Sequence, residues 1–230
     1  MKEKDSKSPV SSFALFDKSS QIVRRNLKVF AILYIIPLLQ TIGSWSDKRS
    51  KETDTFTNPF AGSPASVVAV IVGFGIIFAL VGLTLFWLYQ TMIFAAETEA
   101  SKGGKVTFSH LWQMAKKYAL RLLGLVIVIS LLIFGGLLLL IVPGFIMVRR
   151  YILAPYAMID KDLTIRQAME YSAKISKPYS GYVWGVIGVS ILIALTGVIP
   201  FIGGLIALVL GMLYSVALAL RYRELKQLHK

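Results

Sequence analysis

Arg149 and Arg150 form the one charged pair inside an apolar stretch predicted to cross a membrane. Guanidinium groups bind phosphate and carboxylate oxygens through a planar fork of donors. An arginine at membrane depth costs ~2.5–3.5 kcal/mol on insertion scales, so it needs a partner, water or headgroups. Counted from a turn at Pro143 and Gly144, the pair lies roughly 9–11 Å below the outer end of its helix. Two readings follow. The pair binds an anion or phosphate headgroup within the bundle, with Arg150 the stronger candidate, or both side chains snorkel to the outer headgroups or to backbone carbonyls at the turn. No acidic residue falls inside a predicted span to serve as their partner.

Other chemistry is sparse. His110 belongs to the polar face of an amphipathic stretch and His229 is next to the end of the chain. Neither has a carboxylate or nucleophile at a catalytic spacing. Glu97/Glu99 and Asp160/Asp162 are close pairs at predicted helix ends, where metal binding is conceivable and boundary charge is the plainer reading. There is no Gly-rich phosphate loop, no His-Glu-x-x-His and no Gly-x-Ser-x-Gly. With no cysteine there is no disulfide or thiolate metal site. The reading is a protein without enzymatic activity, catalytic residues, metal or cofactor.

The elements that position these residues follow from hydropathy. The chain is 56% hydrophobic and only 16% charged, yet its net charge is +13. The basic residues sit in short blocks between uncharged stretches, a pattern of membrane flanks rather than of nucleic-acid binding. A span needs roughly 20 apolar residues. Candidate runs are 27–45, 65–96, 122–148 and 182–220. The last is too long for one crossing and is divided by Pro200, Gly203 and Gly204; Pro143 and Gly144 divide the third from a further helix over 144–159. Pro37 and Pro155 are expected to kink their spans.

Basic residues set the orientation. Counting Lys28, seven precede the first span, five lie in 97–121, four in 160–181 and four in 221–230. The loop 46–64 has three, matched by Asp47, Glu52 and Asp54. Six spans result, with both termini cytoplasmic, in the inner (plasma) membrane of a prokaryote. The polar start, residues 1–18, is not a cleavable signal.

Each predicted hairpin is preceded by an amphipathic stretch. Over 12–26 the apolar face is Phe13, Phe16, Val23 and Leu27. Over 107–121 it is Phe108, Leu111, Trp112, Ala115, Ala119 and Leu122, and over 164–176 it is Ile165, Ala168, Met169, Ser172 and Ile175. Ser12, Thr107 and Thr164 stand at the N-cap positions. Arg24, Arg25, Lys116, Lys117, Arg166 and Lys174 occupy the opposite faces, suited to an anionic leaflet. Trp112, Tyr118, Tyr182 and Trp184 suit a membrane interface. The expected architecture is an all-α membrane protein of three hairpins, each led by a cytoplasmic amphipathic helix: unit 1 over 12–96, unit 2 over 107–159 and unit 3 over 164–222. Residues 1–11 are expected to be disordered and 223–230 to be a cytoplasmic tail. Gly181 and Gly185 form a GxxxG pair, a weak signal for close helix packing.

The run Pro143-Gly144, Arg150, Leu153-Ala154-Pro155, Asp160, then Ala168-Met169, Ser172 and Ile175, resembles a bacterial and archaeal membrane-domain family. That domain is found ahead of some glycerophosphodiester phosphodiesterases and alone in uncharacterised YciC-like membrane proteins. The resemblance covers about 107–222. It implies the membrane fold and marks Pro143, Gly144, Arg150, Pro155, Asp160 and Ser172, without a biochemical role. The phosphodiesterase reaction belongs to a separate barrel domain and does not carry over.

The expected function is to organise or sense lipid, with membrane lipids of anionic type as the partner, or to scaffold a protein, through the basic amphipathic helices. The alternative is an uncoupled transporter or pore for a small anionic or lipid-like substrate with Arg150 at the site. An enzyme acting on lipid phosphates would need Asp160, Asp162, Glu97 and His110 to converge.

Overall fold

Apolar residues without helix breakers dominate this chain, and the computed structural model follows them: it describes residues 8–47, 64–199 and 202–229, and the described residues are helical with no strand. The helices are α1 (Ala14–Arg25), α2 (Leu27–Leu33), α3 (Ile35–Asp47), α4 (Ala65–Ser101), α5 (Phe108–Leu139), α6 (Ile141–Tyr151), α7 (Ala154–Lys161), α8 (Ile165–Ser176), α9 (Ser180–Leu195), α10 (Gly203–Tyr214) and α11 (Ala217–Leu228). Pro200, most of the predicted outer loop and residues 1–7 lie outside the described residues.

Four stretches are long and apolar enough to cross a membrane: Val67–Ser101, Phe108–Leu139, Ser180–Val198 and Gly203–Leu228. They mark an all-α, membrane-embedded chain. Large apolar side chains stand exposed along α3, the first half of α4, the second half of α5, the start of α6 and the α9–α10 connection. Buried residues gather at the other ends of these helices, where α1, α7, α8 and α11 join the last turns of α4 and the first turns of α5. The molecule therefore has an apolar crown and a packed base.

Several boundaries depart from the sequence reading for identifiable reasons. The stretch 107–121 is no separate surface helix; it is the first half of α5, which continues unbroken to Leu139. No proline interrupts it, whereas Pro178 separates α8 from α9. The α5–α6 turn is at Leu140, in extended conformation, and Pro143 with Gly144 falls inside the first turns of α6. Proline is tolerated there because the first-turn amides have no intrahelical partner. Pro37 and Pro155 are likewise the third residue of α3 and the second of α7, so all three prolines begin a helix rather than bend one. Gly144 instead permits contact: a Cβ there would stand 3.0 Å from the Leu137 backbone nitrogen, and one on Gly136 would stand 3.0 Å from Gly144 Cα. Gly203 begins α10 where a Cβ would stand 2.9 Å from Ile199 Cβ, while Gly204 meets Thr41 of α3. Gly185 passes close to Ser12, and Gly181 has nothing within 4 Å, so the two do not act as a pair.

The predicted tail is also structured. Residues 217–228 form α11, whose Tyr222 and Leu225 are buried in the base. Pro9 is buried and Val10 half-buried at the start of the described chain, so this part of the N-terminal segment is held. Arg221, fully buried, donates to the Val10 carbonyl at 2.8 Å and to Glu224, which accepts from the Val10 amide.

Helix breaks leave carbonyls that membrane interiors cannot hydrate, and each such group costs several kcal/mol when unpaired. Three breaks are bridged by a hydroxyl from a different helix. Tyr89 of α4 donates to Leu33 O (2.6 Å), Ser172 of α8 to Arg150 O (2.8 Å) and Ser19 of α1 to Leu213 O (2.6 Å). Ser172, marked only by pattern in the sequence, thus docks α8 on the end of α6.

Candidate functional site

The amphipathic faces decide what the base can present to a membrane. In α8 the predicted stripe is correct: Ala168, Ser172 and Ile175 are buried, and Thr164 caps the helix with Gln167 in a reciprocal capping box. In α5, Leu111, Ala115, Ala119 and Leu122 are buried while Phe108 and Trp112 are exposed, and Tyr118 is buried. Thr107 is the N-cap, with no side-chain cap bond. In α1 the buried face is Leu15, Ser19 and Val23; Phe13 is 72% exposed, Leu27 also faces out, and the N-cap is Phe13 rather than Ser12. These stripes are used against the protein's own base. Most of their apolar residues are spent on internal packing, which leaves Phe13, Leu27, Phe108 and Trp112 with the basic side chains to meet a membrane.

Arg24, Arg25, Lys116, Lys117, Arg166 and Lys174 are all exposed. Two are engaged internally: Lys117 joins Arg121 in holding Asp162 (2.9 and 2.8 Å), and Arg166 pairs with Glu170 at 2.7 Å. Lys116 lies over the Trp112 ring. Asp162, in left-handed conformation, ends α7; the Lys117 hydrogen bond above all lowers its carboxyl below the usual range.

Arg149 and Arg150 are not in the bundle interior and do not face an outer turn. Nine residues beyond Leu140, roughly 14 Å along α6, they reach the level of α8. There Arg149, Arg150, Lys174 and Lys177 line a groove of about 320 Å³ with Ile146, Ala173 and Glu170. Arg150 also borders a second groove of about 390 Å³ with Val128, Tyr151 and Arg166 among its walls. Glu170 is the single acid in either groove, and Arg166 already binds it. Lys174, Lys177 and Arg149 have no ion-pair partner among the described residues. Four positive charges thus face one concavity, at the border between crown and base.

Asp160 has a structural setting. It accepts from Tyr222 at 2.9 Å and Lys226 at 2.5 Å, and Lys102 approaches at 3.5 Å. Burial opposes its ionisation, yet these hydrogen bonds and the two lysine charges outweigh it and hold the carboxyl below its usual range. Pro155 and Asp160 thus begin α7 and tie its end to α11.

Glu97 was read as a boundary charge because the uncharged run ends at Ala96. The helix does not end there. It continues to Ser101 and carries Glu97, 7% exposed, into the interior. A cavity of about 290 Å³ lies there between α4 and the α9–α11 side, lined by Tyr34, Gln90, Phe94, Glu97, Tyr156 and Tyr214 together with Ser190, Ser215 and apolar residues. Tyr156 donates to Glu97 Oε2 at 2.8 Å and packs edge-on against Phe94. Sequence reading named Glu97 but placed it at a boundary and missed its burial; the signal available was the absence of any breaker between Ala96 and Gly103.

Asp160, Asp162, Glu97 and His110 do not converge. Asp160 is bound by α11 and Lys102, Asp162 by α5, Glu97 faces the cavity, and His110 lies beside Glu99 and Lys117 in a surface groove. Among the described residues no three His, Cys, Asp or Glu side chains are grouped to hold a metal.

Comparison with protein-family models, with curated proteins and with solved structures gives no match in any of the three. The class is therefore defined by the fold itself, a helical membrane-embedded protein with a basic groove between α6 and α8 and a separate cavity lined by Glu97.

Proposed function

We propose that this protein is a non-enzymatic membrane protein that binds anionic lipid headgroups through the α6–α8 groove, and so organises or senses lipid at the basic face. The observation that carries this reading is the convergence of Arg149, Arg150, Lys174 and Lys177 on one concavity where exposed apolar surface gives way to the base. A phosphodiester seated there has its acyl chains beside Ile146 and the exposed surface of α6. Basic residues near an anionic surface contribute roughly 1 kcal/mol each, so four acting together favour anionic over zwitterionic lipid strongly.

In this reading the chain crosses six times, through α2 with α3, α4, α5, α6, α9 and α10, with Arg149 and Arg150 where α6 leaves the membrane. The bond that Arg221 donates to the Val10 carbonyl and the one that Glu224 accepts from the Val10 amide support both termini lying on one side, and the basic blocks favour the cytoplasm of a prokaryotic cell for that side. The family resemblance is retained as a proposal of shared fold. Its marked residues include a helix-starting proline (Pro143, Pro155), a close contact (Gly144), an ion clamp (Asp160) and a docking hydroxyl (Ser172), which suits a fold signature better than a reaction motif.

The test is lipid retention. Protein purified in mild detergent from membranes containing phosphatidylglycerol is analysed by native mass spectrometry. The K174Q/K177Q variant is expected to lose most bound anionic lipid, and K116Q, distant from the groove, to keep it. Equal retention in both variants rejects the groove. The rival, a transporter or pore with Arg150 at its site, has less support, because the grooves beside Arg150 lie along α8 rather than through the bundle.

A further inference from the structure

Among the described residues two carboxylates lie in contrasting surroundings, Asp160 partly buried and Glu97 buried. Asp160 is what a structural carboxylate looks like here: two lysines and a tyrosine converge on it. Glu97 has one donor, Tyr156, on Oε2; Oε1 has no hydrogen bond and no cation pairs with either oxygen among the described residues. Carboxylates are rarely buried without a partner. Glu97 is also not sealed in the core but forms one end of a cavity of about 290 Å³.

The remaining lining narrows the chemistry. Four aromatic residues, Tyr34, Phe94, Tyr156 and Tyr214, surround the space, with Gln90, Ser190 and Ser215 as neutral polar groups and no Lys, Arg or His. An anionic ligand would meet a carboxylate and no compensating cation. A metal ion requires several oxygen ligands in a tight shell, and one carboxylate among rings does not supply them. A single carboxylate with aromatic walls matches an organic ammonium group, whose diffuse charge is attracted to ring faces and whose alkyl groups fill apolar space. The volume, just under the usual range for ligand pockets, suits a group of only a few heavy atoms beyond the nitrogen.

We infer that the Glu97 cavity binds a small organic ammonium group, as a free amine or as the headgroup of a zwitterionic lipid. Glu97 is the counter-ion, Tyr156 orients it by holding Oε2, and the aromatic walls enclose the cation. The site is separate from the α6–α8 groove, being of opposite charge and lined by none of the same residues.

The full-length protein is placed in phosphatidylglycerol nanodiscs, which contain no ammonium headgroup, and equilibrated with radiolabelled choline. Saturable binding is expected, with competition by ethanolamine but not by 3,3-dimethylbutan-1-ol, the uncharged isostere of choline. E97Q keeps the shape and a hydrogen-bond acceptor for Tyr156 and is expected to bind choline at least tenfold more weakly. Y156F, which frees the carboxylate without removing it, is expected to retain binding with altered affinity. Discs containing phosphatidylethanolamine distinguish the source: suppression of choline binding assigns the site to a lipid headgroup, and unchanged binding assigns it to a soluble amine. Absence of choline binding in both disc types, equal binding of the neutral isostere, or full binding by folded E97Q overturns the inference. Thermal unfolding followed by tryptophan fluorescence establishes that each variant is folded.

Discussion

Replacing Asp160 by asparagine removes one charge and almost no volume from the base. The carboxylate is 10% exposed and receives Lys226, Tyr222 and Lys102 at 2.5, 2.9 and 3.5 Å. Hydrogen bonds to charged groups contribute about 1.5–3 kcal/mol each. Both lysines are partly exposed and regain water in the variant, which discounts their share. The expected net loss is about 2–3 kcal/mol, or about 5–10 °C in Tm for a chain of this size. Its pH dependence is diagnostic. The folded carboxyl titrates below its unfolded value of about 3.9, so its contribution is complete above that pH and is lost as pH falls through the folded value. Tryptophan-fluorescence melts in detergent should show wild type above D160N at pH 7 and 5, with the gap closing below pH 4. A gap under 1 °C at pH 7, or one unchanged by acid, would refute the assignment of Asp160 as a charged clamp.

Other consequences are accessible to similar measurements. S172A leaves Arg150 O without its donor and should cost about 1–3 kcal/mol; S172T, which keeps a hydroxyl, should lose less. G144V forces α5 and α6 apart at Leu137 and should destabilise by more than 2 kcal/mol, whereas G73V, with nothing within 4 Å, should be close to neutral in a melt. E224Q weakens the hold on Val10, and limited proteolysis should then cleave near residue 10 faster than in wild type; an unchanged rate would show that Arg221 alone secures the segment.

The parts of this fold that were legible share a physical cause. Helix α8 could be read residue by residue because a capping box, a period of 3–4 and Pro178 all give the same boundaries. The apolar runs were legible because lipid and protein interiors both demand them. Illegible were features that depend on where helices stop rather than on what they contain. A change from amphipathic to apolar at Arg121 resembles a boundary, yet without a breaker the backbone simply continues, and α5 became one helix. Pro143 resembles a turn, yet a first-turn proline is as comfortable as a loop proline, and the chain reverses at Leu140 instead. Glu97 was hidden by the same effect in reverse: charge-free windows end at the first charge, while hydrogen bonding carried α4 another turn inward. The depth of Arg149 and Arg150 was counted from Pro143 and Gly144, whereas the chain reverses at Leu140.

The clamps at Val10 and Asp160, and the Ser101 carbonyl that accepts from Arg223, all reach α11, the latest described helix to be synthesised. Until α10 and α11 have been made the base therefore has no keystone: Asp160 lacks two of its donors, Val10 is untethered and the Ser19 hydroxyl has no Leu213 carbonyl. A chain stalled near residue 200 would be inserted but not locked.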